Sequence, residues 1–284
     1  MHIPKTSGIS LRRGLLDALA PRNPVLDRHD RAIFGKFEDF ETLEPGIRQS
    51  ICLNGNPLPA DADFVTGHIS LSTLVANYPR ANFLTVLREP VSRTLSHWLY
   101  WRSYSEDQMV PWGGYAAYMR RGRDPLVQFL SQRDIACQID NLSVRLLLWP
   151  NAMIPENGFI DERYDDLLVR EAVGRLRQFS FADIVENPGL KTNIETWIGR
   201  SFCFKTINET SRTPEGFRTS LDREFSSEGF HLLEARNRLD LRLWLALARE
   251  RLAGEDSNAF RVRVVIRNVA RCALIAAPAP VCQA

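Results

Sequence analysis

No stretch of this 284-residue chain is apolar for long enough to cross a bilayer as a helix. The first residues also lack the basic-then-apolar pattern of a secretory leader. Cysteine is sparse: Cys52, Cys137, Cys203, Cys272 and Cys282 are scattered, odd in number and without a CxxC pair. Such a set speaks against a disulfide framework and a thiolate zinc site, and a reducing compartment is the simpler expectation. There is no HExxH segment and no clustered Cys/His set, so no metal is expected. Excess charge of one sign is missing as well: 36 Lys and Arg oppose 34 Asp and Glu, for a formal net charge of +2. That balance argues against a nucleic-acid partner, and any anion site has to be built locally. Internal repeats and a clear domain linker are absent too. What remains is a chain that is 44% hydrophobic and long enough to bury a core without staples.

Apolar periodicity predicts strands alternating with helices. The chain opens on a polar loop through Gly8, followed by a helix with Ile9, Leu15, Leu16 and Leu19 at helical spacing. Only Met1 to Ile3 are available for the strand that should precede this loop, so the first strand looks truncated. Residues 21–60 read as loops with one short helix near Glu38 to Gln49. Strands are expected at Asp63 to Thr66, Asn82 to Leu87, Phe179 to Val185 and Phe202 to Lys205. Helices are expected at Leu71 to Asn77, Pro90 to Tyr104, Leu126 to Leu148 (one or two), Tyr164 to Gln178, Leu190 to Gly199 and Gly229 to Leu252. Residues 105–123 form a Trp-, Gly-, Tyr- and Arg-rich insertion. The alternation implies an α/β chain with a parallel sheet flanked by helices. The main domain is expected over 1–255, with 256–284 a divergent, loosely ordered tail. A surface-associated tail was the weaker alternative.

Two segments carry the chemistry. In His2-Ile-Pro-Lys5-Thr6-Ser7-Gly8-Ile-Ser10 a small-residue loop meets a helix N-terminus. Backbone N–H groups and the positive end of the helix dipole suit an anion there, and Lys5 adds a movable cation. An ordinary helix-capping turn with a surface lysine fits this segment equally well. The order GxxxxGK[ST] is missing, so the loop is not a Walker A motif. In Arg88-Glu-Pro90-Val-Ser-Arg93-Thr-Leu-Ser96, Arg88 sits where a buried strand ends, the place where open α/β sheets bind ligands. Ser96 and Tyr100 follow at helical spacing, and a guanidinium with a hydroxyl suits a phosphate monoester. A surface arginine with a capping arrangement is the alternative.

Taken together, the segments resemble the sulfotransferases that use 3′-phosphoadenosine-5′-phosphosulfate (PAPS), in particular the membrane-anchored and bacterial carbohydrate group. That family opens with an H-I-P-K-T-G-G-T-S-L-like loop, matched by His2 to Leu11 with Ser7 and Ile9 as departures. It continues with R-[DE]-P-x-x-R-x-x-S, matched by Arg88 to Ser96. The chain is most similar to the heparan-sulfate 6-O-sulfotransferases, through Asn141-Leu-Ser-Val-Arg145-Leu-Leu, a loose Asn208-Glu-Thr-Ser211-Arg212 and Asn237-Arg-Leu-Asp240. The likeness thins at residues 20–60 and after about residue 255. The resemblance implies a P-loop-NTPase-like sulfotransferase fold. It implies that Lys5, Thr6, Ser7, Gly8 and Ser10 bind the 5′-phosphosulfate, and that Arg88 and Ser96 bind the 3′-phosphate. Thr210, Ser211 and Arg212 would close over the nucleotide, and the product would be 3′,5′-ADP (PAP). Lys5 would also act in catalysis.

Gly67-His68 ends a predicted strand. Related enzymes use a histidine in this region as general base, and an imidazole has a suitable pKa for deprotonating an attacking alcohol. A structural histidine bonded to backbone is the alternative. Gln138, Asn141 and Arg145 share one helix face and are weaker candidates for holding an acceptor; a solvated face is the alternative. The aromatics and arginines in and near the insertion suit stacking on sugars or plain packing in equal measure. The expected partner is a glycan or glycolipid acceptor, with no nucleic acid and no integral membrane segment. The expected location is cytoplasmic, with peripheral membrane association open. A P-loop-like kinase and a non-catalytic glycan- or nucleotide-binding protein of the same fold are the other readings.

Overall fold

A computed structural model describes residues 1–53, 58–204, 213–219, 221–252 and 254–276. Its strands are all parallel. Strand β1 (Pro24–Asp30) lies between β2 (Ile51–Cys52) and β3 (Phe64–His68), while β4 (Leu84–Leu87) pairs with β5 (Phe181–Ile184). Residues 1–3 bridge the two sheets. The Met1 nitrogen donates to the Leu84 carbonyl at 2.8 Å, and the His2 amide donates to the Gly67 carbonyl at 3.0 Å. The short stretch read as a strand therefore links β3 to β4, although it is not itself a regular strand. The carboxyl ends of β1, β3, β4 and β5, and the end of the bridging segment, all open on one cleft, as expected of a parallel α/β sheet.

Helices cover the sheet. The sequence-expected helices appear at Gly8–Leu19, Leu71–Asn77, Pro90–Arg102, Asp165–Leu176, Leu190–Ile198 and Ser227–Arg251. The Leu126 to Leu148 stretch forms three short helices, Leu126–Ser131, Ala136–Ile139 and Leu142–Leu148. The main core centres on Trp98 and Trp244, both fully buried, with Leu95, Leu239 and Leu243 around them. A smaller core beneath the Gly8 helix joins Leu11 and Leu15 to Val86, Ile194 and Phe202.

Four stretches differ from expectation. The first is the strand expected at Phe202 to Lys205, where residues 202–204 are irregular and Lys205 lies outside the described residues. Residues 24–30 form a strand rather than a loop. They carry few apolar side chains, but Asp30 is satisfied by Ser70 and Thr73, which donate from their hydroxyls at 2.7 and 2.5 Å. The segment expected as a helix near Glu38 to Gln49 is broken into a turn of 3₁₀-helix, Phe40–Thr42, and a short helix, Pro45–Ser50, entered through Pro45. The region expected as a loose tail contributes a helix, Ser257–Ala276. It docks on the Pro90 helix, where Arg261 pairs with Glu89 at 3.2 Å and Asn268 donates to Ser92 at 3.1 Å. Its Phe260 stacks near Trp244. No helix among the described residues is long and apolar enough to cross a membrane.

Candidate active site

The cleft encloses about 870 Å³ and is lined by residues from both motifs: Lys5, Ser7, Gly8 and Ser10 from the first, Arg88 and Ser96 from the second. His68 and Gln138 line it as well. A second cavity of about 650 Å³, bordered by Leu11, Leu15, Phe64 and Trp197, contains none of Lys5, Arg88 or His68. The chemistry therefore selects the larger one.

The first loop is held in an uncommon shape. Lys5 and Ser7 both adopt left-handed backbone conformations, with φ of 69° and 60°. Each costs roughly 1–2 kcal/mol for a residue with a Cβ, so the surroundings must enforce it. Three contacts do so. The Thr6 hydroxyl donates to the Ile3 carbonyl at 2.9 Å, which also turns Thr6 away from the cleft. Arg88 donates from Nη1 to the Lys5 carbonyl at 3.1 Å. The His2 ring lies against Gly8 so closely that a Cβ there would fall 1.8 Å from Nε2. The loop thus delivers the start of the Gly8 helix to the cleft with no side-chain cap at Ser7. The first amides of that helix are its orphan donors, and Gly8, Ile9 and Ser10 border the cleft.

Lys5 and Arg88, unlike Arg12, which lines the same cleft and pairs with Asp27, form no salt bridge among the described residues. Lys5 forms no ion pair among the described residues; its Nζ sits over the Tyr100 ring, 3.9 Å from the centroid. Burial, followed by repulsion from Arg88, pushes its pKa down to about 7. Burial also lowers Arg88, opposed by the negative charge of Glu186. Glu186 in turn is pushed up to about 7 by its own burial, although it accepts from the Glu89 amide at 2.9 Å. Glu89 is spent on structure. It caps the Pro90 helix by accepting from the Val91 and Ser92 amides. That helix end is therefore closed by Glu89, and the groups of this motif that border the cleft are Arg88 and Ser96.

His68 donates from Nδ1 to the His2 carbonyl at 2.8 Å, since a carbonyl can only accept. This bond fixes the tautomer and leaves the lone pair on Nε2. Burial lowers its pKa, so the ring is a neutral base at pH 7.

Other sequence candidates take structural places. Asn141 and Arg145 do not line the cleft and are buried in the core. Asn141 Oδ1 accepts from the Leu239 and Asp240 amides, and Arg145 pairs with Asp140 at 2.7 Å while donating to the Pro155 and Gly158 carbonyls. The expected shared helix face does not exist: Gln138 is in Ala136–Ile139, Asn141 is left-handed ahead of Leu142–Leu148, which carries Arg145, and neither Asn141 nor Arg145 is open to solvent or to an acceptor. Arg93 braces the interior through Thr94 and the Gln138 carbonyl. Gln138 reaches the cleft, with its amide nitrogen bonded to the Ile33 carbonyl. Thr210, Ser211 and Arg212 lie outside the described residues.

Sequence reasoning missed several lining residues. Glu186 and Asn187 follow β5, and the strand-end logic that singled out Arg88 would have found them. Arg267, Asn268 and Arg271 come from the Ser257 helix, whose buried Phe260, Val264, Cys272 and Ala276 recur at multiples of four. No protein-family model matches the chain, and no curated protein matches it at a significant level.

Proposed function

We propose that this chain is a PAPS-dependent sulfotransferase that moves a sulfuryl group to a hydroxyl of a carbohydrate acceptor, on a fold of the P-loop-like sulfotransferase type. The observation that carries the reading is the bond between the two motifs. Arg88 holds the Lys5 carbonyl, and both side chains border the cleft that contains His68. Uncapped helix amides, a buried lysine without a carboxylate and a buried arginine 83 positions away form a cradle for a ligand with two anionic ends.

In this reading Lys5, Ser10 and the amides of Gly8 to Ser10 hold the 5′ end of the nucleotide, and Arg88 and Ser96 hold the 3′-phosphate. PAPS, when bound, supplies the sulfuryl group and departs as 3′,5′-ADP. His68 Nε2 receives the proton of the acceptor hydroxyl as its oxygen bonds to sulfur. Lys5 and the loop amides neutralise the charge that collects on the leaving phosphate oxygen. Placement and electrostatics supply most of the rate, as in phosphoryl transfer. The Lys5 carbonyl contact lets Arg88 set the loop geometry as well as the charge.

Calorimetry with PAP, run beside ATP, tests this. PAP is expected to bind more tightly than ATP, which lacks the 3′-phosphate, and PAPS is expected to label a hydroxyl in a glycan panel. A protein that binds ATP and ignores PAP is a kinase-like nucleotide binder, and the sulfotransferase reading ends there.

A further inference from the structure

Three of the four most exposed large apolar side chains among the described residues lie on one helix. They are Val262, Ile266 and Leu274 of Ser257–Ala276, at 57, 65 and 75% exposure. With the exposed Ala270 they recur at every fourth position and form one row along the helix. The other side of the helix packs into the fold. Phe260, Val264, Cys272 and Ala276 are buried, Arg261 pairs with Glu89, and Asn268 donates to Ser92. The row is therefore not the core face of the helix, and its place is fixed before anything binds. Apolar side chains scattered singly over a surface are ordinary, whereas a row of them on one element marks a contact surface.

A second row runs beside the first. Arg263, Arg267 and Arg271, each one position after an apolar residue of the row, are exposed and four residues apart. Arg263 pairs with Glu255, which precedes the helix. Between Ser257 and Ala276 there is no Asp or Glu, so the helix itself supplies no carboxylate to its arginines. Arg267 and Arg271 also line the cleft, which places the apolar row beside one rim of it.

We propose that this face of the Ser257 helix seats the protein on an anionic lipid surface, with the apolar row entering the head-group layer and the arginines on its phosphates. An apolar ridge flanked by basic residues is the pattern of helices that lie in a bilayer interface. Guanidinium groups pair with phosphate oxygens, and their long stems keep the charge among the head groups while neighbouring side chains sink deeper. Charge selects the occupant. A second copy docked through the same row would bring arginine rows together with no carboxylate in either helix to balance them. The contact is weak and reversible, because a few aliphatic side chains and a few charges fall short of stable anchorage. Where the sulfotransferase reading also holds, one rim of the cleft lies at the lipid surface, which favours a glycolipid head group as acceptor. The lipid contact itself does not rest on that reading.

The test sediments the full-length protein with vesicles of phosphatidylcholine alone and with vesicles of phosphatidylcholine and phosphatidylglycerol in equal amounts. Binding to the mixed vesicles is expected to be about tenfold or more tighter than to the neutral ones, and to weaken as salt is raised. Ile266→Ser combined with Leu274→Ser should weaken it by about tenfold or more, through lost apolar burial. Arg267→Gln should weaken it by about fivefold, as for one charge near an anionic surface. All three side chains are exposed, so the variants should unfold thermally where the parent does, which separates lost docking from lost folding. The inference is overturned if the parent ignores the mixed vesicles or if the double serine variant binds them as the parent does. It is equally overturned if the parent self-associates through Ile266 and Leu274 in place of binding lipid. Failure to bind PAP would end the sulfotransferase reading and leave the vesicle result standing.

Discussion

Two polar regions of this molecule differ in how deeply they are buried and in how their atoms are employed. Around Asp140, Asn141, Arg145 and Asp240, bonds are made within the protein. Asp240 accepts from the Ser143 and Val144 amides, Asn141 from the Leu239 and Asp240 amides, and Arg145 spans Asp140 and two carbonyls. Around Lys5, Ser96, His97 and His29 the residues border a cavity, and several of their polar atoms bond nothing among the described residues. Both sets are polar, and the first is the more deeply buried. The first closes on itself and locks the start of the Leu142 helix to the Ser227 helix; the second waits for something to close it. Buried polarity locates a functional site only when its partners have been counted.

Substitutions break the comparison if they move the wrong quantity. The largest effect is expected from His68→Ala. Removal of a general base costs on the order of 10²–10⁴ in turnover, while PAP affinity, measured by calorimetry, stays put. Full turnover in that variant would return His68 to a structural role through its bond to His2. Next comes Arg145→Ala, which takes from the buried Asp140 carboxylate its closest counterion, with Arg238 at 4.0 Å and the Ile160 amide still beside it. Breaking one side of a buried ion pair costs roughly 3–5 kcal/mol of stability by urea denaturation. If the protein stayed as stable and lost PAP binding instead, Arg145 would belong to the site and the division drawn here would fail. Arg88→Ala should do the reverse. PAP affinity falls by about 30-fold or more, as for truncating a buried charged contact. Stability holds or rises, because the desolvation of Arg88 is relieved.

The sequence disclosed the ligand side of this comparison better than the structural side. Helix boundaries at Gly8, Leu71, Pro90 and Leu190 were readable because capping chemistry and apolar spacing act locally. The convergence of Lys5 with Arg88 was readable from strand ends and from the family likeness. Strand β1 was not, because Asp27, Arg28, His29 and Asp30 give it no alternating pattern, and Asp30 is stabilised by Ser70 and Thr73, 40 and 43 positions away. Nor was the role of Asn141 and Arg145. Their spacing presumed one continuous helix through Gln138, Asn141 and Arg145, whereas the chain leaves the helix at Asp140 and restarts only after the left-handed Asn141, whose side chain is held by the Leu239 and Asp240 amides far along the chain. The Ser257 helix escaped notice because four arginines interrupt its apolar rhythm, and the reason they are tolerated, Arg261 against Glu89, lies 172 positions away.

The smallest effect expected is also the one that most directly separates the two regions. Lys5 sits at about 7 in the folded protein against an ordinary 10.5, because it is buried without a counterion and beside Arg88. Between those pH values the unfolded chain carries the proton and the folded chain does not. Stability of the ligand-free protein must therefore rise as pH climbs through that window, and must show no contribution from Lys5 below about 7, where both states are protonated. An anion bound at the loop restores the charge, so PAP binding should draw a proton onto Lys5. At about pH 8.5, where carboxylates and phosphates are already ionised, calorimetry in buffers of differing ionisation heat should register uptake approaching one proton. Lys5→Met should abolish both the uptake and the rise in stability. Binding of PAP without proton uptake would mean that Lys5 already has a partner, and the loop would then join the self-satisfied region rather than the open one.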